Sequence, residues 1–170
     1  IVAAHRSEPK GSNANDISQP VLQILPSVSE PSIASTQDDN VSSGEHFMAW
    51  FKEAILSKKL IINDARALVH TVADTIFIVT PGIFNRYAQE FPAVQLLATQ
   101  AGLPEWRWVQ KQFEHQKQHI KQPEGLNIWT CTVSGAHKSS QVHGYLLADP
   151  WWIMPEVPLN IPYLKVKQVD

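Results

Sequence analysis

Residues 105–122, EWRWVQKQFEHQKQHIKQ, gather most of the side chains in this sequence whose types and spacing could do chemistry. At 100° per residue, Trp106, Val109, Phe113 and Ile120 share one helical face and should pack inward. The opposite face then presents Arg107, Trp108, Lys111, His115, Gln118 and His119. An indole among guanidinium, ammonium, imidazole and amide groups suits contact with phosphates and stacking on bases or sugars. The stretch holds four basic residues against two acidic ones, which points the same way. One reading is a recognition helix in a nucleic-acid groove. The other is a solvated or protein-contacting face on a helix used as scaffolding, and helical phase does not choose between them.

A second group of donors lies in the loop Ser134-Gly135-Ala136-His137-Lys138-Ser139-Ser140, where His137 and Lys138 could reach a phosphate backbone. A plain solvated loop is the slightly preferred reading. His115 and His119 are four apart, as two ligands of one metal would be. No third ligand stands near them, and Glu114 precedes His115, so the H-E-x-x-H pattern is absent and two surface histidines are expected. His70, within an apolar run, reads as a packed core histidine. The chain carries no G-x-x-x-x-G-K phosphate loop, no G-x-S-x-G and no paired-carboxylate motif. Cys131, the single cysteine, sits in a strand-like run where a buried, inert thiol is expected. No catalytic site, metal or cofactor is therefore expected in this chain.

The elements that must position these groups follow from hydrophobic period. GEHFMAWFKEAILSKK, from Gly44, puts Phe47, Trp50, Phe51, Ala54 and Ile55 on one helical face behind a Ser42 or Ser43 cap. Leu60-Ile61-Ile62 predicts a short strand, and residues 66–72 with 75–80 a hairpin turning at Ala73-Asp74. Thr80-Pro81 predicts a helix start, with Ile83, Phe84, Tyr87 and Phe91 on its apolar face. Pro92 restarts a helix that ends at Gly102, four residues after Ala98, as in a helix-turn-helix whose second helix is the long basic one. NIWTCTVS and SSQVHGYLLAD predict a closing hairpin, or wing. The tail PWWIMPEVPLNIPYLKVK should run extended, with Trp151 and Trp152 stapling it to the core. The fold class expected is α+β: a winged-helix-like domain with a helix-turn-helix and a β-hairpin wing.

Residues 1–43 contain no aromatic side chain and are broken by Pro20, Pro26 and Pro31, so they predict a disordered linker before a domain at 44–170. The clusters Val21-Leu22 and Ile24-Leu25 within it are either a short docking motif or incidental. The linker holds two basic and five acidic residues, the remainder twelve basic and eleven acidic. A domain this near neutrality lacks the footprint of a tight autonomous DNA binder. No run approaches the roughly 18 apolar residues of a membrane span, and the first residues are too short an apolar stretch for a signal peptide, which fits a cytoplasmic protein.

Three stretches, GEHFMAWFKEAI with LIIN, ARALVHTVADTIFIVTPGIF and GYLLAD, resemble the C-terminal domain of conjugal-transfer nickase/helicase proteins, the TraI-type relaxases of integrative and conjugative elements. The resemblance covers 44 to about 165, and Thr75 stands where that family would place a glycine. It implies that a metal-dependent nicking domain lies upstream and that this piece is a non-catalytic accessory. The partner it implies is transfer-origin DNA. A module docking the relaxase onto other transfer components, or onto a second copy, is the alternative.

Overall fold

The computed structural model describes residues 43–168, so the linker predicted for 1–43 lies outside the described residues but for Ser43. Helix α1, Gly44–Leu56, opens where the sequence placed it. The Ser43 side chain accepts the His46 N–H at 3.2 Å, and Glu45 sits in the positive first turn. The strand predicted for 60–62 does not form; Ile62 makes only an isolated parallel bridge with Val69. Strands β1, Val69–Val72, and β2, Thr75–Val79, make the predicted hairpin, with the first strand three residues shorter than expected.

Its two-residue turn puts Ala73 at φ 53° and Asp74 at φ 59°, conformations usually left to glycine or asparagine. A clamp from the tail supports them. Asn160 Oδ1 accepts the Asp74 N–H at 2.9 Å, and Asn160 Nδ2 donates to Asp74 Oδ1 at 3.0 Å. Thr75 is buried, and its hydroxyl donates to the Leu147 carbonyl at 2.6 Å, a bond that no glycine could make.

Helices α2, Gly82–Glu90, α3, Ala93–Gln100, and α4, Glu105–His115, follow in succession. Ala98 is buried beneath α4, and Gly102 ends α3 at φ +68° while the Leu103 N–H reaches the Ala98 carbonyl at 2.9 Å. That six-to-one bond closes a Schellman turn and sets the angle at which α4 departs. Strands β3, Trp129–Ser134, and β4, Ser139–Leu146, form the second hairpin around residues 135–138.

The tail is not merely extended. Asp149 caps a 3-10 turn, Pro150–Trp152, and further on β5, Leu164–Val166, pairs with β3. The sheet is antiparallel and curled, in the order β1-β2-β4-β3-β5. The tail links β1 to β3, since the Ile161 N–H donates to the Thr71 carbonyl and the Ser134 N–H to that of Tyr163.

Successive residues of a strand face opposite sides of the sheet. Ile76 and Ile78 of β2, with Tyr145 of β4, meet the helices in a core built on Phe47, Phe51, Phe84, Tyr87 and Phe113. Phe77 and Leu146 face the other way, into a smaller core with Val72, Cys131 and Leu164. Burial on both sides explains why β2 reads as the unbroken run Thr-Ile-Phe-Ile-Val rather than as an alternation. Among the described residues no helix is long and apolar enough to cross a membrane.

Candidate functional site

Helix α4 packs against α1, α2 and α3 at once, so it has a deep inner face and a narrow outer one. Val109, Gln110 and Phe113 are buried, while Arg107, Lys111 and His115 are exposed. Four-residue steps advance about 6 Å along a helix and about 40° around it, so these three form a gently winding stripe. None of the three has an ion-pair partner among the described residues. Glu114, next to His115 in the chain, is turned inward. It accepts the hydroxyl of the buried Tyr145 and, at 3.4 Å, the Gln110 side-chain amide. Burial, and after it Glu114, push the Tyr145 phenol pKa up, so that hydroxyl keeps its proton and donates. The outer face of α4 is left cationic.

Several sequence expectations about this helix are overturned. It ends at His115 and not near Gln122, because Lys117 enters the left-handed region at φ 54°. His119 then bridges Leu147 in an antiparallel contact and is buried, its ring 5.6 Å from that of Phe113 and 5.5 Å from that of Tyr145. Its Nε2 lies 3.0 Å from Asn127 Oδ1. His119 is thus a core side chain, Gln118 alone of that pair stays exposed, and Ile120, expected inside, faces out. With the helix over at His115, the i, i+4 relation of His115 and His119 disappears as well. Trp108, expected on the outer face, is half-buried against the helical core, which leaves only part of its ring for stacking.

His137 and Lys138 are exposed at the tip of the β3–β4 hairpin, where the Gly135 N–H donates to the Lys138 carbonyl at 3.0 Å. The α4 exit meets β4 at its other end, through Ile120 N–H to the Leu146 carbonyl at 2.8 Å. The length of β4 therefore separates the wing tip from the helix exit by about 25 Å at roughly 3.3 Å per residue. Helix and wing are two separate patches.

His70 is buried as expected, with Nε2 3.0 Å from the Ala67 carbonyl, and burial lowers its pKa. Cys131 is fully buried, which pushes its thiol up to about 12.

The sequence reading missed an apolar groove of about 610 Å³. It is lined by Ile55, Leu56, Leu60, Ile61, Met154 and Pro158 among others, with Lys58 and Glu156 at hand. Leu56 and Ile61 are exposed there. Contrary to the staple expected of them, Trp151 and Trp152 are 64% and 46% exposed, and Ile153 and Met154 anchor the tail instead. Lys52 Nζ lies 4.8 Å from the centre of the Trp152 ring. The signal available in the sequence was the run Leu60-Ile61-Ile62, too apolar for a loop that nothing covers.

These features define an α+β domain in which helices cover one face of a curled antiparallel sheet, with a cationic helix face and an apolar groove at its surface. Residues 42–166 match the family described as "Putative conjugal transfer nickase/helicase TraI C-term", and the chain belongs to that family. The crystal structure of the C-terminal domain of Salmonella enterica protein STY4665, a DUF1528 domain, is similar in fold. Its TM-score is 0.59 at 22% identity, over 73% of this chain and 95% of that one. No curated protein matches this chain in sequence.

Proposed function

We propose that this domain is a non-catalytic accessory module by which a conjugal transfer nickase/helicase of an integrative and conjugative element holds transfer-origin DNA in the cytoplasm. In this reading α3 and α4 act as the helix-turn-helix of a winged-helix domain and the β3–β4 hairpin as its wing. The observation that carries it is the stripe Arg107, Lys111 and His115, exposed and without ion-pair partners among the described residues, beside a Glu114 held inward by Tyr145. A near-neutral domain with a few such contacts binds weakly, without strong base discrimination, and best when tethered to its parent.

The test is fluorescence anisotropy with single- and double-stranded oligonucleotides at low salt. For duplex DNA each lost phosphate contact flattens the log–log salt dependence by about 0.9, so Arg107→Ala with Lys111→Ala should remove roughly 1.8 units of slope. A Lys165→Ala control should change little. Absence of binding by the wild-type chain, or an equal loss in that control, overturns the reading.

The groove beside α1 supports a second reading, a module that docks the protein onto other transfer components. Contiguous exposed apolar surface of this kind marks protein contacts on soluble domains. Ile61→Asp should then abolish association with a transfer protein while leaving oligonucleotide binding intact.

A further inference from the structure

After α4 the chain turns back on itself through residues 116–128, and this loop is unusually well tied. The Ile120 N–H donates to the Leu146 carbonyl and the Ala148 N–H to that of Gln118, each at 2.8 Å. The Trp129 indole N–H donates to the Ile120 carbonyl at 2.8 Å, and the Gln122 amide to that of Ile128. The Gln122 N–H to Leu126 carbonyl bond, also 2.8 Å, closes the turn. Loops held this firmly can present side chains at fixed positions, which is how binding residues are usually carried.

The loop and the helix end enclose a concavity of about 330 Å³ lined by Glu114, Lys117, His119, Lys121 and Asn127. Lys117 and Lys121 are exposed and have no ion-pair partner among the described residues. Beneath them His119 is buried, its Nε2 against Asn127 Oδ1. That oxygen can only accept, so Nε2 carries the proton, and the Asn127 Nδ2 group is left with two N–H donors and no partner among the described residues. The carboxylate in the lining opposes any anion, but Glu114 is engaged by the Tyr145 hydroxyl and by Gln110. Two ammonium groups and a free amide donor around a small hollow make a receptor for a tetrahedral oxyanion.

We infer that this hollow is a phosphate-binding pocket, with Lys117 and Lys121 supplying charge, Asn127 supplying a directed hydrogen bond, and His119 acting as a positioning residue that fixes the Asn127 amide. It lies just past His115 at the end of the α4 stripe. The source of the phosphate rests on the DNA reading: a sugar-phosphate backbone tracking Arg107, Lys111 and His115 would place its next phosphate here. A free phosphate ion shares the same chemistry.

The experiment titrates the full 170-residue chain, in parallel, with inorganic phosphate and with a short single-stranded oligonucleotide. The Asn127 side-chain amide resonances and the backbone amides of residues 116–128 are followed by two-dimensional NMR, the backbone set serving where Asn127 is replaced. Both probes should shift them saturably, inorganic phosphate with millimolar affinity and the oligonucleotide more tightly. Lys117→Ala with Lys121→Ala should abolish the shift. Asn127→Asp keeps the acceptor for His119 but adds a negative charge, and should weaken phosphate binding about tenfold or more. Glu114→Gln should tighten it roughly threefold, the effect of removing one charge several ångströms away in a watery dielectric, which a purely structural role would not do. Arg107→Ala with Lys111→Ala should leave the inorganic phosphate response unchanged.

No saturable shift with inorganic phosphate, or one indifferent to the lysine and Glu114 changes, overturns the pocket even if oligonucleotides bind through Arg107 and Lys111. A pocket that saturates with phosphate in a chain that binds no oligonucleotide upholds the pocket, with free phosphate as its ligand, and removes the DNA reading.

Discussion

Replacing His119 by alanine separates the sequence-based placement of this residue from the structural one. On the solvated face of a continuing helix the change would cost less than about 0.5 kcal/mol. In the structure the imidazole is 8% exposed, packs on Phe113 and Tyr145, and bonds Asn127 at 3.0 Å. Each aromatic contact contributes about 0.5–1.5 kcal/mol, the hydrogen bond a similar amount, and the vacated volume adds a cavity term. The expected loss is about 2–4 kcal/mol, a large share of the roughly 5–15 kcal/mol that stabilises a domain. In urea, with m about 2 kcal/mol/M for a small protein, the unfolding midpoint should fall by about 1–2 M. His115→Ala, exposed one turn earlier, is the matched control and should leave the midpoint in place. Equal midpoints for His119→Ala and the wild type would refute the buried placement, and with it the turn of the chain after His115.

Gly144→Ala should disrupt the sheet, because a Cβ there would collide with the Ile78 carbonyl of the neighbouring strand and meet the Phe77 ring at 2.8 Å; a loss of about 3 kcal/mol or more is expected in the same urea assay. Burial raises the Glu90 pKa, but bonds from Lys59, Trp50 and Arg86 outweigh it and hold the carboxyl below its ordinary value, so its stabilisation is present above pH 4.5 and fades as pH falls through the folded-state value. Glu90→Gln should therefore be less stable than wild type at pH 7, and the two denaturation midpoints should converge as the pH is lowered below 4.5; a gap that stays constant as the pH falls would contradict the pairing. Cys131, fully buried with its thiol pushed up to about 12, should not react with a thiol reagent at pH 8 until the chain is unfolded, and rapid labelling of native protein would refute its burial.

The helices and both hairpins were legible in the sequence because their causes are local. Period 3.6 around Phe47 and Phe51, Ser43 as a cap, Pro92 and Gly102 as boundaries, and the β-branched run from Thr75 act over a few residues, and each element formed where they placed it. The turn at Ala73-Asp74 was legible only as a break in the pattern. What lets those residues hold positive φ is Asn160, 86 residues from Asp74 in sequence.

Over α4 itself the exposure of Arg107, Lys111 and His115 follows helical phase while Trp108 turns partly inward, and beyond His115 the expected face is lost. The sequence after His115 contains no proline or glycine until Pro123, and propensity alone continues the helix. Backbone bonds from Ile120 to Leu146 and from Ala148 to Gln118, together with a pocket between Phe113 and Tyr145 that the His119 ring fills, outweigh that weak preference. The same holds for the tail. Leu164–Val166 becomes a strand because β3 has an open edge, and Ile153 and Met154 occupy the core while Trp151 and Trp152 stay outside. Period, caps and breakers settled the elements; the bridge of His119 to Leu147 and the pairing of the tail with β3 join residues 28 or more apart, which only the assembled sheet brings within reach.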